Sequence, residues 1–307
     1  MAVAGATAAL GLAAFGIATN QASAAPEHKA AAAQAPDEQA GPPQQNFVAA
    51  TAYALIHPTA VPAGANDWSC RPSAAHPHPV VLVHGTFENR YMNWAALSPK
   101  LKAAGYCVYA LNYGGKEGGL IQATGDMAAS AGQLATFVDK VRAQTGDPKV
   151  DLVGHSQGGV MPRYYIKNLG GADKVDKLVA LSPTNHGTSL SGLTKFAEAI
   201  PGAKQLIGTA CPACTQQIAG SDFITALNAG GETAAGVDYT VLTTKTDWVA
   251  TPYTTGYLTK GDNVTQSALQ DSCPVDLTEH LGISYDKTAM QIVLNALDPE
   301  HSKTPSC

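Results

Sequence analysis

The chain has 307 residues, 45% hydrophobic and 14% charged, which is enough apolar material for a large core and excludes a disordered or fibrous protein. A net charge of -5 with only 19 lysines and arginines leaves no basic stripe for a phosphate backbone, so nucleic acid is not an expected partner. The first 24 residues are Ala-rich, lack Lys and Arg, and end in Ala22-Ser23-Ala24, the small-x-small form of a signal-peptidase site. They are expected to be a cleaved signal peptide, atypical in having no basic start. A membrane anchor is the weaker reading, because the run is barely long enough to span and no basic residues follow it. Residues 25–50, with "AAAQAPDEQAGPPQQ", read as a flexible Ala/Pro/Gln-rich lead-in to a single folded domain over 51–307.

From residue 80 onward, strand and helix signals alternate. "PVVLVHG" is a continuous β-branched run of the kind buried on both faces of a parallel sheet, and Trp94, Leu97 and Leu101 then recur at helical spacing until Gly105. "YCVYALNYG" is the next strand. Met127, Leu134, Phe137, Val138 and Val141 mark one face of a long helix, and "KVDLVGHS" follows as a strand. "VDKLVALSP" and "DYTVLTTKTD" supply two further strands, residues 284–297 a closing helix, and Asp262, Asp271 and Asp276 are assigned to loops. The expected fold is α/β, a mostly parallel sheet flanked by helices.

The strand "KVDLVGHS" runs directly into a helical stretch through Gly154-His155-Ser156-Gln157-Gly158. That is the G-x-S-x-G order of a nucleophile elbow, in which a serine stands clear at a tight strand-to-helix turn because its neighbours lack side chains. A serine hydroxyl needs an imidazole to take its proton and a carboxylate to orient that imidazole. On this kind of scaffold the acid and then the histidine follow the serine in the chain, each beyond a strand end. Asp247 sits directly after the strand in "TVLTTKTDWVATPY", and His280 in "DLTEHLGISYD" precedes the closing helix. His84, His155 and His186 come before the acid, and His301 is too near the tail. His84 and His155 flank the site and are expected to pack and hydrogen-bond so as to brace its loops.

Six cysteines, Cys70, Cys107, Cys211, Cys214, Cys273 and Cys307, fit an exported chain with disulfides. Six allow fifteen pairings. The expected set joins neighbours in sequence: Cys70 with Cys107, Cys211 with Cys214, and Cys273 with Cys307. "CPAC" has no second C-x-x-C or H-x-H partner that would make it half of a zinc site.

From about Asn46 to Cys307 the chain resembles the secreted bacterial serine esterases and lipases of the α/β-hydrolase superfamily, close to the class 2 triacylglycerol lipases. The resemblance is carried by "VVLVHGTFEN", "VDLVGHSQGG", "YYIKNLGG", "TKTDWVATPY" and "EHLGI". It implies Ser156 as nucleophile, Asp247 as acid and His280 as base, with an oxyanion hole from the amides of Gln157 and of Thr86 or Phe87. Residues 186–235, a mildly amphipathic stretch between predicted strands, are expected to form a small cap suited to an apolar ester met at a lipid–water interface. No cofactor or metal is expected, and the chain is expected to act as a secreted monomer. A polyester hydrolase or an amidase would use the same residues. A non-catalytic binding protein on this fold is the remaining alternative.

Overall fold

The computed structural model describes residues 1–5, 39–207 and 210–307. The expected signal peptide lies outside the described residues from residue 6 onward, and residues 1–5 are exposed without regular secondary structure. Among the described residues six strands form one parallel sheet: β1 Val80–Val83, β2 Val108–Ala110, β3 Val150–His155, β4 Val175–Leu181, β5 Asp238–Thr243 and β6 Val264–Ala268. Their order is β2-β1-β3-β4-β5-β6. The chain therefore adds strands in opposite directions from β1, and the crevice of such a sheet opens at the carboxyl ends of the strands where the direction switches, here between β1 and β3.

Ten helices surround the sheet among the described residues: α1 Phe47–Ile56, α2 Arg90–Trp94, α3 Leu97–Ala103, α4 Met127–Thr145, α5 Gln157–Asn168, α6 Leu190–Ala199, α7 Pro212–Gln216, α8 Asp222–Asn228, α9 Leu269–Ser272 and α10 Lys287–Leu297. Strand side chains alternate between two cores. Val81, Val83, Tyr109 and Leu152 pack with Leu134 and Val138 of α4 and Met161 and Tyr165 of α5. Val80, Leu82, Val153 and Val179 pack on the other face with Leu97 and Leu101 of α3 and Val293 and Leu297 of α10. Burial on both faces is why these strands read as unbroken apolar runs.

The structure departs from the sequence reading at four places. The folded part begins before residue 51: Ala40 bridges to Val61, the Tyr91 hydroxyl donates to the Pro42 carbonyl at 2.6 Å, and α1 buries Phe47, Ala50 and Ala54. That stripe of one aromatic and two alanines is too small to stand out in an Ala/Gln-rich segment. The helix expected from Trp94 to Gly105 is split into α2 and α3, since Pro99 inside one continuous helix would clash with the carbonyl four residues back, whereas it fits the first turn of α3. β6 replaces the expected loop. It lies at the sheet edge and is mostly half-exposed, so "VTQSA" lacks the apolar signature of the inner strands. The closing helix starts at Lys287, after a 3₁₀ turn over Ile283–Tyr285.

The disulfides are Cys70–Cys107, Cys211–Cys214 and Cys273–Cys307, the three neighbour pairs. The last one closes 34 residues that include the His280 loop and α10. Replacing both cysteines by serine should cost about 3–4 kcal/mol on the chain-entropy account and lower the thermal midpoint, read by calorimetry. An unchanged midpoint would show that the staple contributes nothing.

Candidate active site

Val83 of β1 lies beside Gly154 of β3, so the two strand ends emerge side by side. β3 ends at His155 and α5 begins at Gln157, leaving Ser156 alone to turn the chain, with φ 54° and ψ -122°. Such a backbone conformation costs a non-glycine residue about 1–3 kcal/mol and persists only where the surroundings enforce it. The enforcement comes from two glycines. A Cβ on Gly154 would lie 1.8 Å from the Gly158 carbonyl oxygen, and one on Gly158 would lie 2.0 Å from the Val83 carbonyl oxygen. The Ser156 N–H donates to the Leu181 carbonyl at 2.9 Å, which anchors the turn to β4.

His280 and Asp247 are brought together from loops 33 residues apart: His280 Nδ1 is 2.8 Å from Asp247 Oδ2, and both side chains are buried. The other carboxylate oxygen accepts the Val249 and Ala250 N–H groups, each at 2.8 Å. Burial pushes the Asp247 carboxyl up. The charge and hydrogen bond of His280 and the two amides outweigh that, and the group is held below its ordinary value. The two loops are tied to each other. Thr244 and Thr246 hydroxyls both donate to the Thr278 carbonyl at 2.6 Å, and Trp248 Nε1 donates to Glu279 Oε2 at 2.9 Å. With Nδ1 committed to Asp247, His280 Nε2 is buried and has no partner among the described residues. His155, next to Ser156, bonds through Nε2 to the His280 carbonyl at 2.9 Å, which ties the Ser156 turn to the Asp247–His280 pair. The other acids lie elsewhere: Asp262 is exposed and Asp271 pairs with Lys245 at 2.8 Å.

Thr86 follows β1 and faces the start of α5. Its hydroxyl donates to Gln157 Oε1 at 2.7 Å, and Gln217 Nε2 donates to the Thr86 hydroxyl at 2.8 Å. Thr184 in turn donates to Gln217 Oε1 at 3.0 Å. Gln157 opens α5, so its N–H precedes the first intrahelical bond and is free to meet an anion. The Phe87 N–H, expected with that of Thr86 as an oxyanion donor, donates instead to the Gln122 carbonyl at 3.0 Å, and its ring is buried against Phe196. Gln217, Glu88 and Asn93 belong to the site and were missed, because a lone amide or carboxylate in a loop or helix carries no periodic or motif signal.

The segment 186–235 contains α6, α7 and α8. From α6, the Phe196 ring meets the His280 ring edge-on at 5.2 Å, while α7 and the residue after it carry the Gln217 brace. The segment expected to be a cap thus contributes both an apolar wall beside His280 and a polar support for the Thr86 loop.

Comparison with known proteins agrees with this geometry. The family model Lipase (class 2) matches residues 77–293. A triacylglycerol lipase of Pseudarthrobacter phenanthrenivorans is 36% identical over 130 residues, 41% of this chain and 37% of that protein. One of Burkholderia plantarii is 36% identical over 130 residues, 41% of this chain and 33% of that protein. The match therefore spans about a third of these curated relatives' length. Aspergillus fumigatus lipase B is similar in fold, with a TM-score of 0.61 at 22% identity, over 80% of this chain and 56% of that one.

Gly158→Ala should destabilise the protein by about 3 kcal/mol or more, since neither backbone can yield. Gly132→Ala, on α4 with nothing within 4 Å of the added methyl, should stabilise by about 0.5–1 kcal/mol. Urea unfolding of the pair checks the contrast, and equal midpoints would refute the packing argument.

Proposed function

The chain belongs to the class 2 lipase family, and from that premise we propose that it hydrolyses carboxylic esters with apolar acyl chains through an acyl-enzyme on Ser156. The observation that carries this reading is the buried Asp247–His280 pair with an unbonded Nε2, tied through the His155 ring to a serine on a glycine-enforced turn.

In this reading the Ser156 hydroxyl attacks the ester carbonyl carbon while His280 Nε2 takes its proton. Negative charge develops on the carbonyl oxygen, which the N–H groups of Gln157 and Thr86 stabilise; each such donor is commonly worth about 3 kcal/mol of barrier. His280 then gives its proton to the departing alkoxide, and water repeats the sequence on the acyl-enzyme. Asp247 holds the ring with Nδ1 protonated and Nε2 free, and its charge offsets the imidazolium that forms.

An apolar acyl group suits the surroundings, because Phe87 and Phe196 pack together beside the His280 ring. Val275 and Leu277, both largely exposed just before His280, suit contact with a lipid–water surface. Secretion agrees with the disulfides, since no free cysteine remains.

Ser156→Ala should fold normally and lose activity on a nitrophenyl ester by at least about a thousandfold, because triad members act as a unit. A mutant retaining a tenth of the wild-type rate would overturn the assignment. Asp247→Asn should lower kcat by a similar factor. Because the folded Asp247 carboxyl is held below its unfolded value, its ionised form stabilises the protein above about pH 4 and that contribution is lost as pH falls through the folded value. The stability gap between wild type and Asp247→Asn should therefore be flat from about pH 5 to 8 and close in acid, measured by denaturant titration at each pH.

A further inference from the structure

His155 has no step in the reaction just described, yet it is fully buried and both of its ring nitrogens are bonded. Nδ1 lies 3.1 Å from Glu88 Oε2 and 3.2 Å from Asn93 Oδ1, and Nε2 lies 2.9 Å from the His280 main-chain carbonyl. All three partners are acceptors. The Gly85 N–H donates to both Glu88 Oε2 and Asn93 Oδ1 at 2.9 Å, and Asn93 Nδ2 donates to Ser284 Oγ at 3.2 Å, which sets the orientation of the Asn93 amide. A carbonyl has no proton to give. A neutral imidazole carries one N–H, so it would turn a lone pair toward an oxygen lone pair inside a buried site. A proton on Glu88 in place of Nδ1 would still leave Nδ1 facing the Asn93 oxygen and would crowd the Gly85 N–H.

We propose that His155 is an imidazolium ion-paired with the Glu88 carboxylate in the resting protein, and that this buried pair is a positioning device for His280. Two consequences follow from the placement. The Nε2–H of His155 holds the backbone of His280, whose ring lies 4.9 Å from its own. The same proton cancels the charge of Glu88, leaving the base to face the single uncompensated carboxylate of Asp247.

The other titratable groups around the pair are compatible with it. Asp247 attracts the His155 charge from the β5 side. His84, after β1, is driven down to about 4 by burial and stays neutral, and burial holds the Tyr113 and Tyr285 phenols well above their ordinary value and uncharged. His155 itself is pushed down by burial, but the Glu88 charge and hydrogen bond, the His280 carbonyl and Asp247 together raise it.

The role of the pair rests on the esterase reading, whereas the charge state of His155 does not, and the experiment separates them. Protein labelled with ¹⁵N-histidine is measured without substrate from about pH 5.5 to 8.5, with His155→Gln identifying the signals. The expected result is the imidazolium pattern for His155, both nitrogens protonated, constant across this range because the ion pair holds the proton. A neutral tautomer at pH 7.5, or a titration inside the range, overturns the proposal even if Ser156→Ala abolishes activity. Glu88→Gln should convert His155 to a neutral ring at pH 7.5 and lower kcat about tenfold or more with KM within about twofold, the mark of a displaced base. If kcat stays within twofold of wild type, the positioning role is wrong. Should Glu88→Gln fail to fold, the wild-type spectrum alone decides the charge state, and the kcat-to-KM split is read on His155→Gln.

Discussion

The site depends on how closely the start of α5 approaches the end of β1. Gly158 leaves no room for even a methyl group against the Val83 carbonyl, and Gly154 leaves none against Gly158 itself. Strand, turn and helix are thereby compressed so far that Ser156 has one backbone conformation open to it, a left-handed one. The positive φ is enforced by packing that surrounds the serine on both sides, which is how a folded protein sustains local strain. The same approach aims the first N–H of α5 toward the loop that follows β1. The Ser156 turn and the exposed start of the α5 backbone ladder therefore come from one packing constraint.

Around that turn the protein buries two carboxylates and two imidazoles. Asp247, Glu88, His155 and His280 all lie in the interior. An isolated carboxylate would be costly in a low-dielectric site, and removing one partner of a buried pair is far more damaging than the pair is stabilising. The arrangement tolerates them because each carboxylate faces a histidine and at least one backbone N–H. One oxygen of each carboxylate meets a histidine, and a ring nitrogen of His280 stays unbonded among the described residues. Motion of the His280 loop would have to break the Thr244, Thr246 and Trp248 hydrogen bonds together.

The segment between β4 and β5 contributes more than a cover. α7 is short and begins at the Cys211–Cys214 staple, and its end delivers Gln216 to the first turn of α4 and Gln217 to the Thr86 hydroxyl. Because Gln217 also touches Gln157 at 3.2 Å, the loop after β1 and the helix after β3 share one buried amide. The ring beside His280 and the amide that supports the Thr86 loop are thus delivered by one excursion of the chain.

Much of this was readable in the order of the residues. Buried parallel strands must be apolar on both faces, so five of the six announced themselves, and a G-x-S-x-G turn between strand and helix has few other physical uses. Asp247 and His280 followed from their positions after a strand and before a helix, and the cysteines paired as neighbours. The edge strand β6, the Ala-rich α1 and the break at Pro99 were hidden, because an edge, a small-residue stripe and a single proline act through their surroundings. The partners of the site were hidden for a stronger reason. Glu88 meets His155 across 67 positions and Gln217 meets Thr86 across 131. Local sequence determines which segments become strands, turns and helices, since periodicity and backbone sterics act over a few residues. Which buried carboxylate lies beside which ring, and which amide is already taken, is decided when distant segments share one buried volume and most polar atoms there must find a partner.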